Sequence, residues 1–146
     1  MKNTKDLKTL YSPIFFMRKN VFNSIFKEIE ETKVLDKDLE NELKALFPDK
    51  FEKAVETMEK GIIQYTFTPS KRILWTAIGE EREHIIYPRL YCDCLDFYKN
   101  VVINKKNTIC KHLLALELAQ ILKRFKKINL KDEEFKKIYK NNILKI

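Results

Sequence analysis

Residues 91–122 read YCDCLDFYKNVVINKKNTICKHLLALELAQIL, and they hold all three cysteines of the 146-residue chain and one of its two histidines. Cys92 and Cys94 stand one residue apart, fifteen residues follow, and Cys110 and His112 again stand one residue apart. Three thiolates and one imidazole close a tetrahedron around zinc and leave no open position, which is the donor set of a structural site. The expectation is therefore one structural Zn2+ held by Cys92, Cys94, Cys110 and His112. A redox pair of Cys92 and Cys94 would leave Cys110 and His112 without a role, and thiols that merely fill a core have no reason to repeat a spacing. His84 stands in a strand with no ligand-spaced neighbour and reads as a solvated or hydrogen-bonded histidine.

Outward from this stretch, the residues that carry the donors can be placed. From Thr108 onward Cys110, Leu114, Leu118, Ile121 and Phe125 recur at helical spacing, so a long helix begins almost at the second donor pair. A thiol there lies at the positive end of the helix dipole, which favours the thiolate that zinc needs. Upstream, IIQYTFT, RILWTAI and HIIYPRLYC are β-branched and aromatic runs separated by Pro69-Ser70 and by Gly79 with charged residues, which predicts three strands. Pro88 cannot donate to a ladder, so the third strand is expected at an edge or bulged. Before Gly61 the pattern is helical. Ser12 and Pro13 suit a cap and first position, followed by Ile14, Val21, Phe22, Ile25, Phe26 and Ile29 at helical spacing. One shorter helix faces Leu39, Leu43 and Leu46 inward. A second opens on an Asp49/Glu52 capping box and buries Phe51, Val55 and Met58 before Gly61 stops it.

The expected fold is α+β: N-terminal helices over residues 1–60, then a small antiparallel sheet with the zinc-anchored helix over 61–127, then a basic segment, 128–146. A chain of this size forms one compact unit of one or two lobes. No apolar run has transmembrane length and the N-terminus lacks a leader pattern, so a cytoplasmic protein with no membrane association is expected. In that reducing compartment cysteines serve as thiols or ligands, not as a disulfide framework.

The net charge is +8, and residues 123–146 carry nine Lys and Arg against Asp132, Glu133 and Glu134. That segment reads either as a solvated Lys-rich helical face or as an electrostatic patch for nucleic acid or an acidic protein. Lys123, Arg124, Lys126 and Lys127 are the candidate nucleic-acid contacts. Trp75, Tyr87 and Tyr91 would stack on bases if exposed on the strand face. Only Gly61 and Gly79 are present, which excludes a glycine-rich phosphate loop, and two histidines do not furnish a nucleophile, base and orienter. Glu80, Glu81, Glu83 and Asp93 read as solvated charges near a turn. The expectation is a protein that is not an enzyme.

The pattern C-x-C, spacer, C-x-H resembles the SWIM zinc finger. Asp96 and Phe97 match an Asp-Phe pair common after its second cysteine, and WTAIGEEREHIIYPRLYCDC resembles its two short strands; Leu95 departs, standing where a proline is common. The likeness covers roughly residues 71–122. It implies a ββα finger around one structural zinc. Ala115 extends the pattern to C-x-H-x-x-A, which is similar to small SWIM proteins that partner RecA-like recombinase paralogues in homologous recombination. A small residue three positions after the histidine shares its helical face and permits close approach to the strand bearing Cys92 and Cys94. The resemblance implies an accessory or adaptor protein in DNA recombination or repair. The surplus of apolar residues Ile14, Phe15, Phe16 and Met17 is consistent with a protein partner. A nucleic-acid-binding module, for single-stranded or double-stranded DNA, is the alternative.

Overall fold

The structure, a computed structural model, describes residues 13–106 and 109–143. Ser12 and Thr108 lie outside the described residues, as do the side chains of Ile14, Phe15, Phe16, Met17, Val21 and Phe22. The chain divides into two units, Met1–Pro48 and Asp49–Ile146.

In the first unit, α1 (Pro13–Thr32) packs with α2 (Lys37–Leu46). The Asp36 carboxylate caps α2 by accepting the Leu39 N–H at 2.9 Å. This satisfies one of the donors left without a partner at a helix start. Leu39 and Leu43 are buried, as are Ile25, Phe26 and Ile29 of α1.

The second unit begins with α3 (Phe51–Lys60). The expected capping box does not form: Lys50 occupies the cap position without a side-chain hydrogen bond, and Asp49 lies in the turn before it. Phe51, Ala54, Thr57 and Met58 are buried, while Val55 is only half-buried. Gly61 stops α3, with φ +139° and its N–H on the Thr57 carbonyl at 3.1 Å. The backbone angle favours glycine there, and a Cβ at Gly61 would in addition lie 2.8 Å from Ile78 Cδ1 and displace that side-chain tip.

A five-stranded sheet follows in the order β4-β3-β2-β1-β5, with β1 Ile62–Thr68, β2 Ile73–Ile78, β3 Glu83–Tyr87, β4 Tyr91–Cys92 and β5 Lys126–Lys131. Four strands are antiparallel; β5 joins β1 in parallel, Ile63 opposite Lys126 and Thr68 opposite Lys131. The third expected strand is two. Pro88 sits in a tight turn closed by the Leu90 N–H on the Tyr87 carbonyl at 3.0 Å, with Arg89 at φ +60°. Proline followed by a left-handed residue is the chemistry of a type II turn, so this run folds back instead of bulging.

The helix after the second donor pair is α4 (Lys111–Leu122), and it ends before Phe125. Lys123 adopts the left-handed conformation at φ +55°, and the Arg124 N–H reaches back to the Ala119 carbonyl at 2.9 Å, a C-terminal motif that normally recruits glycine. Beyond it, the segment read either as a Lys-rich helical face or as an electrostatic patch supplies β5 and then α5 (Asp132–Ile143). Phe135, Ile138 and Tyr139 of α5 and Ile128 and Leu130 of β5 cover Ile63, Tyr65, Phe67, Leu74 and Ile85. Residues of opposite parity, including Ile86 and Cys92, face α4. Both sheet faces are thus covered, which is why β2 is buried at Leu74, Trp75, Thr76 and Ala77 alike. No helix among the described residues is long and apolar enough to cross a membrane.

Candidate metal centre

Cys92 ends β4 opposite Ile86, Cys94 follows it, Cys110 is the N-cap of α4 and His112 lies in that helix's first turn. The fold brings all four together: one donor atom from each lies within 4.8 Å of the others, and all four residues are buried. The cysteines are free thiols.

Local backbone prepares the sulfurs as ligands. The Phe97 N–H donates to Cys94 Sγ at 3.3 Å, and the Leu113 N–H donates to Cys110 Sγ at 3.5 Å. Donors aimed at a sulfur favour its thiolate. Hydrogen bonds from Cys110 and Cys92 hold the Cys94 thiol below its ordinary range, whereas the hydrogen bonds Cys92 makes with Cys110 and with Cys94 push Cys92 above it. Sulfurs this close stabilise a thiolate among them, and a cation at the cluster would displace the remaining protons. Burial lowers the proton affinity of His112 and favours the neutral ring a metal ligand must present. Its buried Nδ1 has no hydrogen-bond partner among the described residues. An orphaned polar atom of this kind costs about 1–3 kcal/mol. A metal ion at the cluster is a partner that three sulfurs and an imidazole nitrogen of His112 fit.

A polar layer surrounds the cluster. The His84 ring lies 4.3 Å, centroid to centroid, from that of His112, and its Nδ1 is 3.2 Å from Asp93 Oδ1. Asp93, the residue between Cys92 and Cys94, also accepts from Arg82 at 2.7 Å. Burial alone would raise the Asp93 carboxyl, but hydrogen bonds from His84 and Arg82 outweigh it and hold the group below the usual carboxylate range. Gly79 permits this arrangement, because a Cβ there would lie 2.6 Å from the Arg82 carbonyl and 2.8 Å from the His84 ring. On the other side, Arg89 grips the buried Glu117 of α4 with two hydrogen bonds, at 3.0 and 3.3 Å, tying the β3–β4 turn to the helix.

His84 is hydrogen-bonded as expected, but it packs on the expected ligand His112 instead of standing alone. Asp93 and Glu83 are not solvated charges. Glu83 accepts from Tyr65 Oη at 2.9 Å and Thr76 Oγ1 at 2.7 Å beneath α5. Burial first, and then the Glu83 carboxylate, push the Tyr65 phenol well above its ordinary range. Glu80 and Glu81 are exposed. Trp75 is buried edge-to-face on Phe125 at 4.9 Å, whereas Tyr87 and Tyr91 are exposed. Lys123 and Arg124 lie exposed just after α4, and Lys126 and Lys127 begin β5, where strand alternation sends them to opposite faces.

The fold and site define an α+β module in which a strand end and a helix start converge on a buried Cys3His cluster able to hold a metal ion. Two known proteins resemble the chain. It is 26% identical over 125 residues to the Zinc finger SWIM domain-containing protein 7 homolog of Dictyostelium discoideum, a match spanning 84% of this chain and 78% of that protein. It is 27% identical over 96 residues to the Zinc finger SWIM domain-containing protein 7 of Homo sapiens, spanning 63% of this chain and 67% of that protein. No family model and no solved structure matches the chain. The two likenesses and the four-donor cluster support a SWIM-type, zinc-binding module.

Proposed function

We propose that the chain is a non-catalytic, cytoplasmic adaptor in homologous recombination or DNA repair, that it binds one structural zinc ion at Cys92, Cys94, Cys110 and His112, and that it works in complex with a RecA-like recombinase paralogue. The observation that carries this reading is the four-donor cluster at the junction of β4 and α4. Ala115 supports it: the residue is fully buried on the helical face of His112, as the extended C-x-H-x-x-A pattern requires. Three sulfurs and one nitrogen saturate a tetrahedral ion, so zinc acts through shape. It holds strand, loop and helix as one rigid surface for a partner. Co-expression with the RecA-like paralogues of the same organism, followed by size-exclusion chromatography, is expected to give a co-eluting complex that Cys110→Ala abolishes. If no paralogue co-elutes, while the protein alone binds nucleic acid tightly, the adaptor reading fails.

A second reading, a nucleic-acid-binding module, is favoured by one observation. β5 is an edge strand, and its Lys126 and Lys127 are exposed beside Lys123 and Arg124. Neutralising these four to Gln is expected to weaken binding to unrelated DNA sequences nearly equally. It should also flatten the slope of log K against log salt by about 0.7 for each lost contact to a single strand. Anisotropy titrations across a salt series measure both, and unchanged affinity and slope would return these residues to a solvated edge, where lysine also discourages strand-to-strand aggregation.

A further inference from the structure

We infer that the outer face of the finger, formed by Leu90, Tyr91, Leu95, Tyr98, Val102 and Ile103, is the docking surface for an apolar protein patch ringed by carboxylates. The inference rests on the adaptor reading and adds to it which face of the molecule is used and what chemistry the partner brings.

Relative exposures of 75% for Leu90, 63% for Leu95, 58% for Tyr98, 50% for Val102 and 55% for Ile103 are unlike the scattered single apolar residues of an ordinary surface. They fall within fourteen residues of chain, residues 90–103, on two pieces of structure that touch. Leu90 comes from the β3–β4 turn and Tyr91 opens β4, and the Tyr91 ring packs edge-to-face on Phe97 at 5.6 Å. Phe97 opens a π-helical segment, Phe97–Ile103, in which the Asn104 N–H bonds the Lys99 carbonyl. The wide turn sets Tyr98 and Val102 with Ile103 one turn apart.

Both pieces are anchored to the metal centre. Tyr91 precedes Cys92, and the Phe97 N–H is held on Cys94 Sγ. The side chains are therefore presented on fixed backbone, which reduces the ordering entropy a partner would have to overcome.

Charge selects the occupant. The exposed charged residues in the π-helical segment and the loop after it are Lys99, Lys105 and Lys106. The carboxylates of the same region are engaged: Asp93 with Arg82 and His84, Asp96 with Lys50 and Asn100. A second copy of this chain would bring lysines against lysines around the apolar centre, an arrangement that like-charge repulsion opposes. A partner with an apolar centre and an acidic rim meets no such opposition.

The test uses full-length zinc-loaded protein and the RecA-like paralogues of the same organism as binding partners. In Leu95→Asp and Tyr98→Asp, metal content and melting temperature are expected to stay at wild-type values while affinity for the co-eluting paralogue falls at least tenfold. Lys105→Glu/Lys106→Glu, which leaves all four donor residues in place, should weaken the complex at low salt with a deficit that shrinks as salt rises. If the wild type forms the complex and all these variants bind with wild-type affinity, the surface is wrong and the adaptor reading stands. If the wild type binds no paralogue, both fall. If the wild type sediments as a dimer that Leu95→Asp dissociates, the face is a self-association surface and the acidic partner is excluded.

Discussion

Cys110→Ala is expected to release the metal and to unfold the module from Asp49 onward. Cys110 holds three positions at once: it is an expected ligand, the N-cap of α4, and the sulfur that accepts the Leu113 N–H. Helix α4 buries Leu113, Leu114, Ala115, Leu116, Leu118 and Ala119 and contacts four of the five strands, so fraying at its start spreads into the core. A structural zinc contributes about 10–16 kcal/mol of apparent binding free energy in small fingers. A whole domain typically has about 5–15 kcal/mol of stability. Loss of the ion therefore outweighs what the apolar core retains. Acid works in the same direction, because protons compete with the metal for the sulfurs and the imidazole. Burial, by lowering the proton affinity of His112, delays that competition to lower pH. Elemental analysis and thermal melts followed by circular dichroism check the expectation. Unchanged metal content and an unchanged melting temperature in Cys110→Ala would refute the site.

Much of this centre was readable in the sequence because ligand chemistry is local and rare. Two one-residue gaps in a chain with three cysteines leave little else for those residues to do. The strands β1 and β2 were readable for a similar reason: β-branched and aromatic runs bounded by Pro69, Gly61 and Gly79 carry their own punctuation. What escaped depends on non-local partners or on residues outside their usual conformations. β5 was hidden because lysines at 123, 126, 127 and 131 resemble a solvated helix face. The alternation of Ile128 and Leu130 was the signal, and it acquires meaning only once β1 is there to pair with. The end of α4 was missed because Lys123 takes a left-handed position that glycine usually marks. The β3–β4 turn was missed because Arg89 does the same. The shell around the donors could not be read at all. Asp93 sits beside two cysteines in sequence, but the Arg82 and His84 that bond it arrive by strand pairing, and Arg89 reaches Glu117 across 28 residues.

That shell is the site of the second large effect. Arg82→Ala is expected to destabilise the metal-loaded protein by about 3–5 kcal/mol, the loss typical when one partner of a buried ion pair is removed and the other charge is left behind. Asp93 and Arg82 have side-chain exposures of 5% and 11%, so solvent does little to relieve the stranded carboxylate. Arg82 is also more than a counter-charge. Its guanidinium donates to the Asp93 carbonyl at 3.1 Å, to the Glu83 carbonyl at 3.2 Å and to the Asn142 carbonyl at 2.8 Å, joining β3, the residue after β4 and the end of α5. Lysine has the charge but not the planar fork, so Arg82→Lys should recover only part of the loss. Because Arg82 and Asp93 act on each other, Arg82→Ala/Asp93→Asn should lose less stability than the two single changes added together. His84, deprived of a fixed Asp93, would no longer be oriented against His112, so metal release by a chelator should also quicken in Arg82→Ala. Urea unfolding of the metal-loaded variants measures the first effect and a colorimetric zinc-release assay the second. A loss below about 1 kcal/mol with wild-type release kinetics would reduce Arg82 to an exposed pair of the kind that contributes little.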